Sequence, residues 1–304
     1  MALAKQAYAV SNFTCAIDGV AAGFLNSFDP PTMEVDKISV ALGPDCETQQ
    51  ALGNLNFGDA KASINPAHSA AWLTVINSVF DKACTEFQIR VDLADHNYKS
   101  KRAIAMAGCL IKKIGLGKLA AGDGKKLWDM SFEWESEDVI YEKGTDAVIQ
   151  GVLGTKNKNW LCSNFEPMGM PGGIEANSVI DIDCGSMSAK VGKEHVGMLR
   201  QASKHYTKWD VDGVKSTHSS IAYNTALAYV NKVIRDGAIQ DEEYAPWSVD
   251  LKDQTFKTVL GSINYTGSAC QKFTWSPQLK SGDTMSNFTI DWVVQTIRFE
   301  PKHK

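Results

Sequence analysis

One short sequence occurs twice in this chain, and the register of that recurrence constrains the architecture more than any other feature. Val91-Asp-Leu-Ala-Asp-His-Asn-Tyr-Lys99 returns as Val249-Asp-Leu-Lys-Asp-Gln-Thr-Phe-Lys257, an offset of 158 (249 minus 91). Downstream, Ile104, Gly108, Lys113 and Ile114 face Ile263, Gly267, Lys272 and Phe273, and Leu119-Ala-Ala-Gly-Asp123 faces Leu279-Lys-Ser-Gly-Asp283. Trp128-Asp-Met-Ser-Phe-Glu-Trp-Glu135 and Phe288-Thr-Ile-Asp-Trp-Val-Val-Gln295 then both alternate bulky apolar and polar residues, the period of a strand with one buried face. A chain of 304 residues holds two units of ordinary domain size. The expectation is two copies of one domain, residues 1–144 and 145–304.

Upstream, Leu55-Asn-Phe-Gly58 matches Ile182-Asp-Cys-Gly185 at an offset of 127 (182 minus 55), and Ser27-Phe-Asp-Pro30 resembles Ser163-Asn-Phe-Glu-Pro167. The jump from 127 to 158 predicts about 31 extra residues in the second copy, an insert at 207–244. Within it Tyr223, Leu227, Val230 and Ile234 follow one helical face, between the cap candidates Ser219 and Ser220 and a closing Gly237.

The first copy reads as a hairpin about Asp18-Gly19, a long polar stretch from Asp29 to Gly53, and a helix begun by Asn65-Pro66 and carrying Trp72, Val75, Ile76, Val79 and Phe80. Strands follow at 87–93, 103–114 and 128–134. In the second copy the equivalent helix is placed at 193–206, with Val196, Leu199 and Tyr206 inward. The predicted core is Ile89, Val91, Leu93, Trp128, Met130, Phe132 and Trp134, with Trp247, Val249, Leu251, Phe288, Ile290, Trp292 and Val294. The fold class is mostly β (α+β): two tandem β-barrel or sandwich domains, each with one packed helix.

No chemistry-bearing constellation emerges. Gly115 to Lys125 is glycine-rich but fits the phosphate-loop pattern in neither register. Asp181-Ile-Asp-Cys184 reads as a strand, with the carboxylates solvated and Ile182 and Cys184 inward, rather than as a metal site. His68 and His195 read as helix-surface residues, and the other histidines form no metal-binding spacing. A charged cluster of His205, Asp210, Asp212 and His218 is the weakest candidate for an enzyme site. We expect no catalytic residue, no cofactor and no metal. With 31 Lys and Arg against 35 Asp and Glu, the net charge of -4 disfavours phosphate-gripping nucleic-acid binders. The start lacks a signal-peptide core and no apolar run spans a membrane, so synthesis in the cytoplasm is expected. Seven scattered cysteines imply reduced, buried thiols.

The order Phe13-x-Cys-x-Ile-Asp-Gly19, Gly23-Phe-Leu, a long loop, Leu52-Gly-Asn-Leu-Asn-Phe57, the helix with Trp72, the strand into Val91-Asp-Leu-x-Asp95 and a last alternating strand resembles the tail-tube proteins of contractile phages. The related ring protein of type VI secretion shares it. The resemblance implies a virion protein in the tail, with β-domains joined in rings around a lumen and stacked into a tube through which DNA passes without sequence-specific binding. A duplicated chain would form such a ring as a hexamer or as a pseudo-sixfold trimer. Sheath, baseplate or terminator proteins are the implied partners, and no membrane is involved. The alternative from another class is a soluble two-domain β-sandwich that binds carbohydrate on its aromatic residues.

Scattered thiols and the absence of metal-ligand spacing predict that reductant and chelator together leave thermal melting unchanged. A shift of several degrees under either would show a disulfide or a structural metal.

Overall fold

The computed structural model describes residues 12–42, 47–65, 70–83, 85–149, 160–194, 202–237, 245–275 and 286–302. The first half contains β1 (Asn12–Ile17), β2 (Val20–Phe24), β3 (Ser27–Asp29), β4 (Met33–Leu42), β5 (Glu47–Phe57), β6 (Ala60–Ile64), α1 (Ala70–Phe80), β7 (Phe87–Ala94), β8 (Ser100–Leu116), β9 (Lys118–Ala120), β10 (Met130–Glu135) and β11 (Asp138–Lys143). The second contains β12 (Phe165–Met168), β13 (Val179–Glu194), β14 (Ser203–Ser219), α2 (Tyr223–Val230), β15 (Ala245–Lys252), β16 (Val259–Trp275) and β17 (Asn287–Pro301). Fifteen strands form one antiparallel sheet whose main path runs β12-β15-β16-β17-β14-β13-β8-β10-β6-β3, while β4 and β5 pair only with each other. The fold is mostly β.

Local sequence explains the main elements. Asp18 and Gly19 both take positive φ (49° and 78°), as a two-residue turn between right-twisted strands requires. On β10 the period-two alternation buries Met130, Phe132 and Trp134, and on β17 it buries Phe288, Ile290, Trp292 and Val294. Helix α1 lays Trp72 against Phe132 (ring centroids 4.4 Å apart) and Trp134 (6.4 Å), and α2 sets Tyr229 against Trp292 (6.2 Å). Of the predicted core, only Leu93 is half-exposed.

Local geometry recurs between the halves at the repeated sequence. Asp95 accepts the Asn97 and Lys99 amides on Oδ1 (2.9 and 3.0 Å), and Asp253 accepts those of Thr255 and Lys257 (3.1 and 3.2 Å). Within these turns Tyr98 and Phe256 take nearly the same left-handed φ, 59° and 57°. Gly108 and Gly267 are also left-handed, and a Cβ on either would collide with the side chain opposite, Glu137 or Gln295. Both long strands carry a bulge beyond that glycine: the register shifts between Glu133 and Trp134 against β8, and between Cys270 and Lys272 against β17.

Several expectations fail. Residues 193–194 belong to β13 and 203–206 to β14, so none of the described residues of 193–206 is helical, and 195–201 lie outside the described residues. Leu55 and Ile182 are not equivalent either, because Leu55 lies on the second arm of its hairpin and Ile182 on the first arm of β13–β14. The registers that agree have an offset of 154: Ser27, Phe28 and Asp29 pair with Ser63, Ala62 and Lys61, as Asp181, Ile182 and Asp183 pair with Thr217, Ser216 and Lys215 (181 minus 27; 217 minus 63). Residues 207–219 of the predicted insert are therefore ordinary strand, and α2 follows β14 as α1 follows β6. Most of the described residues of the polar stretch 29–53 are strand as well (33–42 and 47–53), because a two-stranded arm with exposed faces leaves no alternating apolar signature. The buried face of α2 is Ala226, Tyr229 and Val230, continued by Val233, whereas Ile234 is 48% exposed. The match of 27–30 with 163–167 also fails, since β3 pairs with β6 but β12 with β15.

His218 is fully buried, stacked on Phe288 with Nδ1 3.2 Å from Ser178 Oγ and Nε2 2.7 Å from Ser216 Oγ. Burial lowers its pKa to about 4, so the fold holds the neutral ring. The depressed folded value means that stability is complete above the unfolded pKa near 6.5 and declines as pH falls toward 4, by at most about 3 kcal/mol. Urea midpoints measured across that window should fall in the wild type and flatten in His218→Gln. Truncating Phe132 or Trp292 to Ala should each cost about 3 to 5 kcal/mol; unfolding free energies within 1 kcal/mol of wild type would show that these faces are not core.

Candidate assembly interface

The two halves meet edge to edge. Strand β13 pairs with the C-terminal part of β8 through Ser186–Gly115, Met187–Ile114 and Ser188–Lys113, and with β9 through Asp181–Ala120, Ile182–Leu119 and Asp183–Lys118. Backbone pairing is closed here by side chains from both halves. Glu135, 3% exposed, meets Lys193 Nζ at 2.5 Å and Lys204 Nζ at 3.3 Å, while Lys204 Nζ also donates to the Ser136 carbonyl (2.5 Å) and the Lys204 amide donates to Glu137 (2.9 Å). Burial draws the Lys204 pKa below the usual lysine range against the opposing pull of Glu135. Removing one partner of such a buried pair is expensive because the other charge is left uncompensated. Trp128, Trp160 and Phe299 complete the seam, with centroids 5.6 to 5.8 Å apart.

The sheet face opposite the helices is polar and ordered in rows. In the first half one row runs Asp29, Lys61, Glu133, Lys113, and in the second Asp183, Lys215, Asp291, Lys272, each residue directly opposite the next. Lys61–Glu133 and Lys215–Asp291 both stand at 3.5 Å. Such exposed pairs add little stability. Opposite charges on neighbouring strands about 4.8 Å apart do cancel within a Debye length of roughly 8 Å, leaving the face without a net field. The adjacent row carries hydroxyls: Ser27, Ser63 and Ser131 in one half, Thr217, Thr289 and Thr274 in the other.

Other candidate chemistry does not assemble. Asp181 and Asp183 point away from the buried Ile182 and Cys184, as a strand requires. The Gly117 carbonyl accepts the Trp128 indole N–H (3.0 Å) and β9 pairs with β13, so the glycine-rich segment forms strand and turn. His218 lies in the core, away from the exposed His205 and Asp212. His68 and His195 lie outside the described residues. Among the described residues no three His, Cys, Asp or Glu side chains are grouped to hold a metal, and no helix is long and apolar enough to cross a membrane. Cys15, Cys109, Cys162, Cys184 and Cys270 are free and buried, with burial pushing the Cys109 and Cys270 thiols up to about 11. Six of the eight tryptophans are buried, which removes most of the aromatic surface a sugar-binding platform would need.

Glu135, Lys193 and Lys204 were not legible as a site, since charges on alternating strands read as solvated faces until pairing across the halves is known. Several strand edges, in contrast, lack partners among the described residues, those of β2, β5, β11 and β12 included, and two others correspond to the sides of the internal seam. One is the outer edge of β3 and β4, and the other is β16 beyond Ser268, where pairing with β15 stops. Strand β8 presents the corresponding edge to β13.

No family model matches this chain, and no curated protein matches it. Among solved structures, a chain of the anti-feeding prophage baseplate is similar over 46% of this chain and 98% of its own, at 9% identity and a TM-score of 0.40. A chain of the sheath-tube complex of an extracellular contractile injection system is similar over 46% of this chain and 93% of its own (10% identity, TM-score 0.38). A type six secretion system protein matches over 44% and 82% (11% identity, TM-score 0.30).

Proposed function

We propose that this chain is a structural subunit of a contractile injection device, built from two copies of one tube-type domain and assembling side by side into rings. One observation carries the reading: the halves are joined edge to edge in a single sheet, and among the described residues the edges that correspond to the two sides of the internal seam, that of β3 and β4 and that of β16 beyond Ser268, have no partner strand. An open edge of this kind is a template for the next strand, and in a head-to-tail arrangement repetition closes a ring or extends a filament.

In a closed ring the polar rows would line the conduit. Their balanced charge gives a polyanion no patch to bind, and their hydroxyls keep the wall hydrated, as passage of DNA or another charged cargo requires. The helices lie on the opposite face, the side available to a sheath or another outer layer. A ring of the bulk tube, a terminator or a baseplate ring would each fit this geometry. The sequence resemblance adds phage tails and secretion-type devices as the setting. The repeated turns, glycines, bulges and 154-residue register support the duplication.

Negative-stain images of purified protein at micromolar concentration should show rings with a central hole, and light scattering should give a mass that is an integral multiple of 33.2 kDa. A protein that remains monomeric at 100 µM (roughly 5 kcal/mol of association or less) overturns the reading.

A further inference from the structure

We propose that one copy docks on the next through the β4–β5 arm, with Thr32, Met33 and Glu34 pairing antiparallel with Thr274, Phe273 and Lys272 of β16 in a second copy. The proposal rests on the ring reading and specifies its joint. Its template is the internal seam, where Ser186, Met187 and Ser188 pair with Gly115, Ile114 and Lys113. The offset of 154 that carries β3 onto β13 takes Thr32, Met33 and Glu34 to those three β13 residues. The bulge that follows Gly108 and Gly267 takes Lys113, Ile114 and Gly115 to Lys272, Phe273 and Thr274, an offset of 159 (272 minus 113).

Three observations say that this arm is incomplete and that a second copy fits it. A two-stranded sheet is marginal alone in water, yet Met33 and Val35 on one face of the arm are 48% and 39% exposed, and Ile38 on the other is 50% exposed. Their counterpart at the seam, Met187, is 2% exposed and lines a cleft with Phe80 at the end of α1; at the end of the second helix Ile234 stands 48% exposed with no such load. Finally, Glu34 would extend the row Asp183, Lys215, Asp291, Lys272 with the acidic charge that its alternation calls for, opposite Lys272.

The joint between copies differs from the internal seam in one respect. The position of Glu135 is taken by Val293, 42% exposed (offset 158), so the external joint lacks the buried carboxylate and is apolar there.

The test uses the full chain carrying Glu34→Cys with Lys272→Cys, oxidised mildly and run on non-reducing gels. Directly opposed residues in an antiparallel pair lie about 4.5 to 5.5 Å apart at Cα, within disulfide reach. A ladder of covalent multimers is expected from the pair, but none from either single variant or from the slipped pair Asp36→Cys with Lys272→Cys. In parallel, Glu34→Lys should raise the concentration needed for assembly about fivefold while leaving monomer melting unchanged, and adding Lys272→Glu should restore it. Rings without the 34–272 ladder, or a ladder from the slipped pair, overturn this joint and leave the ring reading standing. Unmodified protein that stays monomeric overturns both.

Discussion

Every unpaired strand edge presents a row of N–H and C=O groups whose burial without partners costs free energy, and the architecture of this chain follows from how those rows are satisfied. Within the chain, β13 satisfies β8 and β9, and that contact turns two halves into one sheet. Glu135, Lys193 and Lys204 then fix its geometry, because a carboxylate buried among these two lysines and the Lys112 ammonium group tolerates little displacement. The same requirement, unmet among the described residues at β4 and at β16 beyond Ser268, is what the proposed assembly would satisfy.

Polar and apolar faces divide the labour across the sheet. The inward rows supply the stability: Trp72, Phe132 and Trp134 in one half and Tyr229, Trp247 and Trp292 in the other bury large rings against one another. The outward rows contribute almost nothing to folding, since their ion pairs are exposed. In the proposed ring their regular alternation of charge would leave the wall without a net field that could hold or repel a charged cargo.

How much of this was legible in the sequence depended on the range of the interaction that decides each feature. Alternation on β10 and β17 identified Phe132, Trp134, Phe288 and Trp292 as core, because burial on one face imposes period two locally. Asp18-Gly19 announced its turn for the same reason. The segment from Asp29 to Gly53 read only as a long polar stretch because a hairpin without a core face carries no alternating pattern. The second helix was misplaced because Leu55 and Ile182 share a local pattern while occupying opposite arms of their hairpins, a distinction only strand pairing reveals. The seam lay beyond reach altogether: nothing local in Glu135 or Lys204 marks a partner 69 residues away (204 minus 135).

The central claim is that an edge left open in one chain is closed by the next in the manner of the internal seam. Amide hydrogen exchange on assembled and dissociated protein tests it most directly, with 113–115 of β8 as the internal reference. Those amides of 32–34 and 272–274 that point away from β5 and β17 should exchange rapidly in the monomer and slow in the assembly toward the rate of the reference strand. Exchange at these positions that remains fast in assembled particles would contradict it.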